Sequence, residues 1–243
     1  MSQKNMMTNF LSRLDLHPEM SIEKITIGSE RSPILVVDNF IKQANSLVDV
    51  AVRMEFSEQG HVFPGVRAFA PHIYMQKAFV EIQPEITEHF GLNSCTFKLS
   101  MCHYSLVTTP PERLGLLQRI PHVDSFESRG LAAVHYLFHG NFGGTAFYRH
   151  RKTGFEYLDE SRRLVYFRSL ESENGGPNIP GAEYINGDTS LFQQIDRREG
   201  VFNRLLVYRR NSLHSGCIDK NFSLDPNPLS GRLSINSFID PIL

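Results

Sequence analysis

Chemistry in this chain starts with His122-Val123-Asp124, set in the stretch Ile120-Pro121-His122-Val123-Asp124-Ser125. Side chains alternate faces along an extended chain, so the imidazole and the carboxylate point the same way and can share one metal ion. The triplet alone is weak. With 10 His in 243 residues and a similar number of Asp, about 0.4 such triplets arise by chance. A third ligand from elsewhere in the chain is required.

Two imidazoles and one carboxylate on one face of a metal, with the opposite positions open, form the ligand set of non-haem iron(II) oxygen chemistry. His135, His139, His150 and His214 are the candidates for the third position. His135 sits inside an apolar run and reads as a hydrogen-bonded core histidine, while His139 and His150 flank turns and read as solvated. His214 is best placed, in a short strand after Tyr208-Arg209-Arg210 that ends at Ser215-Gly216 and precedes one more strand. On that last strand Arg232, Ser234 and Asn236 share one face, and Leu233 and Ile235 share the other. An arginine aimed inward is costly unless it meets an anion. Its planar fork suits a carboxylate, and the Ser234 hydroxyl can complete the contact. The expected anion is the far carboxylate of a 2-oxo acid cosubstrate.

The elements that must position these groups follow from hydrophobic period. Ile34-Leu35-Val36-Val37 reads as a buried strand. From Phe40 to about Met54, apolar residues recur at three- and four-residue steps (Ile41, Ala44, Leu47, Val48, Ala51, Val52), which predicts a helix with one buried stripe. After a loop with Gly60, Pro64 and Gly65, a second helix is expected from about Ile73 to Phe90, ending at Gly91. From Cys95 the period changes to 2. Thr96 to Leu106 alternates Phe97, Leu99 and Met101 against Lys98, Ser100, Cys102 and Tyr104. Leu131–Phe138 and Thr145–Tyr148 flank the glycine-rich hairpin Gly140-Asn141-Phe142-Gly143-Gly144, which lacks the Lys-Ser/Thr helix start of a phosphate cradle. Residues 150–202 read as a charged insertion around Glu173-Asn174-Gly175-Gly176-Pro177, with helix around Leu191 to Asp196. Strands resume at Arg204–Tyr208, Leu213–Gly216 and Arg232–Ile239. The fold class is mainly β (α+β): about eight antiparallel strands in a double-stranded β-helix (jelly roll, cupin-like), with the two N-terminal helices packed on one sheet.

A formal charge of -1 and a pI near 6.8 give no electrostatic reason to expect nucleic acid or an acidic membrane as partner. Cys95, Cys102 and Cys217 match neither a zinc knuckle nor a redox pair and read as free thiols of a reducing compartment. Met1-Ser2-Gln3-Lys4-Asn5-Met6-Met7 lacks the apolar core of a signal peptide, and no run approaches a membrane span, so a soluble cytoplasmic protein is expected.

Taken in order, Tyr104, His122-Val123-Asp124, the strand-turn-strand around Val134 and Gly143-Gly144-Thr145-Ala146-Phe147, Leu213-His214-Ser215-Gly216 and Gly231-Arg232-Leu233-Ser234 resemble the iron(II)- and 2-oxoglutarate-dependent oxygenases of the prolyl-hydroxylase-like branch. More narrowly, the chain resembles an uncharacterised bacterial family within it. The likeness covers Cys95 to the C-terminus and extends to the support helices. It implies one oxygenase domain over 1–243, with N-terminal support in 1–94 and the jelly-roll core in 95–149 and 203–243; the 150–202 insertion has no counterpart in that branch and reads either as a cover over a site or as a plain surface excursion. It also implies His122, Asp124 and His214 as iron ligands, Arg232 as salt-bridge partner of the 2-oxoglutarate far carboxylate, and Tyr104 and Ser234 as its hydrogen-bond partners. Iron(II), 2-oxoglutarate and O2 are the implied cofactor and cosubstrates, with succinate and CO2 as products. Halogenating members carry a small residue at the carboxylate position, so Asp124 favours hydroxylation. The sequence departs from prolyl hydroxylases, which usually carry lysine at the position of Arg232, and the 16 residues from Gly216 to Gly231 make a longer connection than usual.

The substrate stays open between an amino acid, a peptide or protein side chain and another small molecule. Arg67, Arg119 and Arg149 read first as surface residues, with an anion contact at the mouth, such as an amino-acid carboxylate, as the alternative for each. A homodimer is compatible with the sequence, and neither nucleic acid nor membrane is expected. Two rivals remain: a cupin-like metal-dependent isomerase or hydrolase using the same ligands without a cosubstrate, and a non-catalytic jelly roll that binds a sugar or peptide.

Overall fold

Period-2 patterning in the second half of the chain becomes two antiparallel sheets, and the 3.6-period stretches become helices on their outer faces. The computed structural model describes residues 14–60, 63–93, 95–173, 178–219, 222 and 224–242. The Met1–Met7 stretch and residues 174–177 lie outside them. The elements are β1 (Ser21–Ile27), β2 (Ser32–Asp38), α1 (Ala44–Ala51), β3 (Ser57–Glu58), β4 (Gly65–Phe69), α2 (His72–His89), β5 (Thr96–Val107), β6 (Leu131–Tyr136), β7 (Gly144–His150), α3 (Glu160–Glu173), β8 (Phe192–Arg198), β9 (Leu205–Arg209), β10 (His214–Cys217) and β11 (Leu233–Ile242).

The large sheet runs β1-β2-β9-β6-β11-β5-β4-β3 and the small one β10-β7-β8. Every pairing is antiparallel. This is a jelly roll, whose two sheets face each other and leave space between them at one end. One core lies outside the large sheet, where Leu47 and Ala51 of α1 and Tyr74, Met75 and Ile82 of α2 pack on Val37, Leu106, Leu131 and Val207. A second lies between the sheets, with Val36, Ala132, Phe147 and Leu206. The third covers the small sheet, where Tyr166 of α3 meets Tyr148, Leu158 and Phe192. Each large side chain so buried contributes about 1.5–3 kcal/mol.

Four expectations change. The helix expected from Phe40 to Met54 shrinks to the eight residues of α1. Asn203 has taken the preceding backbone: its carbonyl accepts from the Phe40 N–H, and its side chain bonds both the N–H and the carbonyl of Ile41, all at 2.9 Å. Phe192–Arg198 is a strand and not a helix, because it pairs with β7 along its length. Gly65–Phe69, read as loop, is a strand beside β5. The segment carrying His122 and Asp124 is irregular, and its one bridge joins His122 to His214.

Candidate active site

A cavity of about 450 Å³ opens at the end of the two sheets. His122, Asp124, His214, Arg232 and Ser234 all line it. The bridge that joins His122 to His214 is a reciprocal pair of backbone hydrogen bonds, each N–H donating to the other carbonyl at 2.9 Å. Asp124 is held from a third side, its N–H donating to the Arg210 carbonyl at 2.8 Å.

The ligand atoms of His122, Asp124 and His214 lie within 4.8 Å of one another. Nε2 of His122 is 3.8 Å from Oδ1 of Asp124, and Nε2 of His214 is 3.5 Å from Oδ2. Nδ1 of His214 lies 2.9 Å from the Ser212 carbonyl. A carbonyl only accepts, so Nδ1 carries a proton and Nε2 is the nitrogen turned toward Asp124. Burial, with His214 alongside, pushes His122 down to about 4, so its ring is neutral at ordinary pH. Two imidazole nitrogens and a carboxylate thus converge on one point, an arrangement that a cation satisfies. The nitrogen and oxygen donors, and the second hydrogen bond that orients His214, fit a ferrous ion.

Arg232 lies at the start of β11, 6% exposed. Its Nε donates to the Phe142 carbonyl at 2.9 Å and its Nη2 to the Gly144 carbonyl at 2.8 Å. The guanidinium carbon stands 5.4 Å from the Phe138 ring centre and 5.9 Å from that of Tyr136. Among the described residues no carboxylate pairs with it, and burial lowers its pKa. A desolvated cation with spare donors suits an oxyanion. The glycine hairpin makes this contact possible. Gly143 has φ +72 and lies so close to β10 that a Cβ there would meet the Cys217 carbonyl at 1.7 Å. Ser234 shares the cavity face, and its hydroxyl donates to Asn236 Oδ1 at 3.0 Å.

Tyr104 does not reach the cavity. Its hydroxyl donates to the Leu47 carbonyl of α1 at 2.8 Å, and the residue is fully buried in the helix-side core. The cause is a bulge: Phe238 pairs with Met101 but Ile239 with Leu99, so Ser100 is an extra residue in β5. An extra residue reverses which face the alternation serves. Phe97 and Leu99 face the helices before it, Cys102 and Tyr104 after it, and Met101 turns to the cavity.

His135 is a core histidine, bonded to the Tyr74 hydroxyl at 2.6 Å and to Asn203 Oδ1 at 3.1 Å. His139 stacks on Phe202 with ring centres 4.1 Å apart. His150, expected to be solvated, is fully buried, with Nδ1 2.9 Å from Thr153 Oγ1 and Nε2 3.2 Å from Glu173 of α3. Arg119 is committed to the Leu114 carbonyl and Arg149 to Glu156. Arg67 does line the cavity. The 150–202 insertion does line the cavity, through Leu158, Tyr166, Phe167, Leu170 and Tyr184, none of which the sequence reading singled out. Tyr208 was placed on its strand but not beside the site, where its ring stands 4.7 Å from that of His214. A polar, charged helix gives no periodic signal for a cavity wall, whereas the apolar-strand position of Tyr208 could have suggested an inward aromatic.

Residues 18–239 match the model of DUF6445, a family of unknown function. The chain belongs to that family. No curated protein matches it. Among solved structures, the non-heme alpha ketoglutarate dependent epimerase SnoN from nogalamycin biosynthesis is 10% identical, with 98% of this chain and 83% of that one covered at a TM-score of 0.45. HygX from Streptomyces hygroscopicus, solved with nickel, 2-oxoglutarate and hygromycin B, is 10% identical over 100% of this chain and 88% of its own at 0.44. A Pseudomonas putida prolyl-4-hydroxylase is 15% identical, with 81% of this chain and 98% of that one covered at 0.34. At scores this low the overlap assigns no activity to this DUF6445 chain.

Proposed function

We propose that this DUF6445 protein is a non-haem iron(II)- and 2-oxoglutarate-dependent dioxygenase that hydroxylates a C–H bond of an organic substrate, with release of succinate and CO2. One observation carries the reading. A cavity holds, together, a convergent triad of two imidazoles and a carboxylate and a buried guanidinium with no carboxylate partner among the described residues.

His122, Asp124 and His214 would hold the iron, and Arg232 with Ser234 the far carboxylate of 2-oxoglutarate. When bound, iron and 2-oxoglutarate would supply, with O2 as the oxidant, oxidative decarboxylation of the cosubstrate coupled to hydroxylation of carbon, one oxygen atom going to succinate and the other to the substrate. The chain's own residues position and exclude. The Ser212 carbonyl orients the His214 ring, and the backbone bridge brings both residues together before any ligand arrives. Phe138 and Tyr136 keep water from the guanidinium, which strengthens its grip on an anion. A cupin-like reaction without a cosubstrate leaves Arg232 with no task.

Anaerobic titration of the protein with iron(II) and 2-oxoglutarate tests the reading. A visible absorption band that needs both components is expected, and its absence from the folded wild type would overturn the assignment.

A further inference from the structure

Arg67 is the second guanidinium of the cavity, and nothing in the reading above uses it. It stands on β4 directly opposite Ser105, which in turn stands opposite Ser234, so the three occupy one row across the sheet. Ser105 shares a face with Met101 and Val107, both of which line the cavity. Its hydroxyl is buried with no partner, and so is Nε of Arg67. Among the described residues Arg67 makes no ion pair or hydrogen bond, and its contact is with the Phe63 ring, whose centre lies 4.3 Å from the guanidinium carbon. Burial lowers its pKa, and the nearby charge of Asp124 opposes that. This cation is therefore within electrostatic reach of the metal triad without being paired to it.

Charge then selects the ligand. The cavity lining contains one carboxylate, Asp124, and two arginines, Arg67 and Arg232. With a metal dication the site carries three excess positive charges; the 2-oxoglutarate dianion removes two. One positive charge remains, and Arg67 is the group left without a counterion. A monoanion balances it, which favours a carboxylate over a phosphate dianion. Much of the remaining wall is apolar, with Ile120, Val123, Phe126, Leu158 and Leu170, beside polar groups such as Gln118, Thr145 and Asn236. Leu117 and Phe167 line the cavity while also 70% and 45% exposed, so the mouth too is apolar. The volume is in the range of sites for small organic molecules.

We propose that the substrate is a monocarboxylate with an apolar body, and that Arg67 holds its carboxylate. The inference rests on the dioxygenase reading and names the substrate class of that site. Arg67 is a specificity-determining residue here, since it contacts substrate away from the reacting carbon.

Zinc(II)-loaded protein with 2-oxoglutarate, which cannot turn over, is titrated with 4-phenylbutyrate and octanoate and, separately, with their uncharged amides. Each acid is expected to bind at least tenfold tighter than its amide. In Arg67→Gln that preference disappears, Arg67→Lys retains part of it, and 2-oxoglutarate affinity stays within twofold of wild type, which also shows that the variant is folded. Equal binding of acids and amides to the wild type, or an undiminished preference in Arg67→Gln, overturns the proposal. So does a large loss of 2-oxoglutarate affinity in Arg67→Gln, which would give Arg67 to the cosubstrate. Failure of the wild type to bind 2-oxoglutarate at all sinks the dioxygenase reading and this inference with it, whereas normal 2-oxoglutarate binding with no acid preference sinks the inference alone.

Discussion

His122 and His214 are tied to each other through their backbones, N–H to carbonyl in both directions at 2.9 Å, and their rings stand 4.5 Å apart. The two residues are 92 positions apart in sequence, so the metal face is assembled by a tertiary pairing and not by a local turn. The bridge brings the imidazoles together without any ion, and Asp124 is fixed independently through Arg210. Much of the entropy of gathering three ligands is thus met by folding the jelly roll itself.

Removal of one ligand is therefore expected to abolish tight binding without unfolding the chain. Asp124→Ala and His214→Ala should each weaken iron(II) affinity by more than about 100-fold, beyond the 10–100-fold typical of changes to outer-shell partners. Anaerobic calorimetric titration measures it. Asp124→Ala should also abolish substrate-dependent succinate formation, and full turnover by that variant would contradict the ligand assignment.

Arg232 makes a separable prediction. Truncating one partner of a buried charged contact costs about 2–5 kcal/mol, so Arg232→Gln should weaken 2-oxoglutarate by at least tenfold while leaving metal affinity near wild type. Arg232→Lys keeps the charge but loses the planar fork and should fall between the two. Thermal unfolding reads the same quantity, because a ligand at 100 times its Kd stabilises by about 2.7 kcal/mol. Added 2-oxoglutarate should raise the Tm of the metal-loaded wild type and raise that of Arg232→Gln clearly less at the same concentration.

Tyr104 separates the observed fold from the expectation drawn from sequence. Its hydroxyl serves the Leu47 carbonyl of α1. Tyr104→Phe strands a buried acceptor and is expected to cost about 1–3 kcal/mol of stability, with 2-oxoglutarate affinity unchanged. Denaturant unfolding and a binding titration, run on the same variant, check both halves. A tenfold loss of 2-oxoglutarate affinity would mean that this face of β5 reaches the cosubstrate after all.

What was legible in the sequence was whatever depends on period and residue type. The strands carrying His214 and Arg232, the alternation of Arg232, Ser234 and Asn236 against Leu233 and Ile235, and the two helices behind the sheet all follow from side-chain spacing. Features set by a single residue against distant backbone were not legible. The bulge at Ser100 turned Tyr104 from the cavity to the helices, Asn203 shortened α1, and the pairing of β8 with β7 overrode a weak helical signal. Arg67 was visible as a cation, yet its lack of a counterion is a property of the assembled cavity.

Glu156 gives the pH dependence of the scaffold. Its side chain is 1% exposed and ties the β1–β2 turn to the end of β7: the Ser29 N–H donates to Oε1 at 3.0 Å, the Glu30 N–H to Oε2 at 2.9 Å, and Arg149 Nε to Oε1 at 2.8 Å. Burial alone would raise its pKa, but these donors, with the Ser29 hydroxyl, outweigh it and hold the carboxyl below its ordinary value of 4.5. A carboxylate with a depressed folded pKa contributes stability that is complete above the unfolded value and disappears as pH falls through the folded one. Glu156→Gln removes the charge at every pH and leaves Arg149 unpaired. It should therefore be less stable than wild type by about 3–5 kcal/mol at pH 7, and the gap should narrow as pH drops below 4.5. Unfolding midpoints of the two proteins from pH 7 to pH 3 measure this, and a gap that stays constant across the range would show that the ionised carboxylate is not what holds the turn.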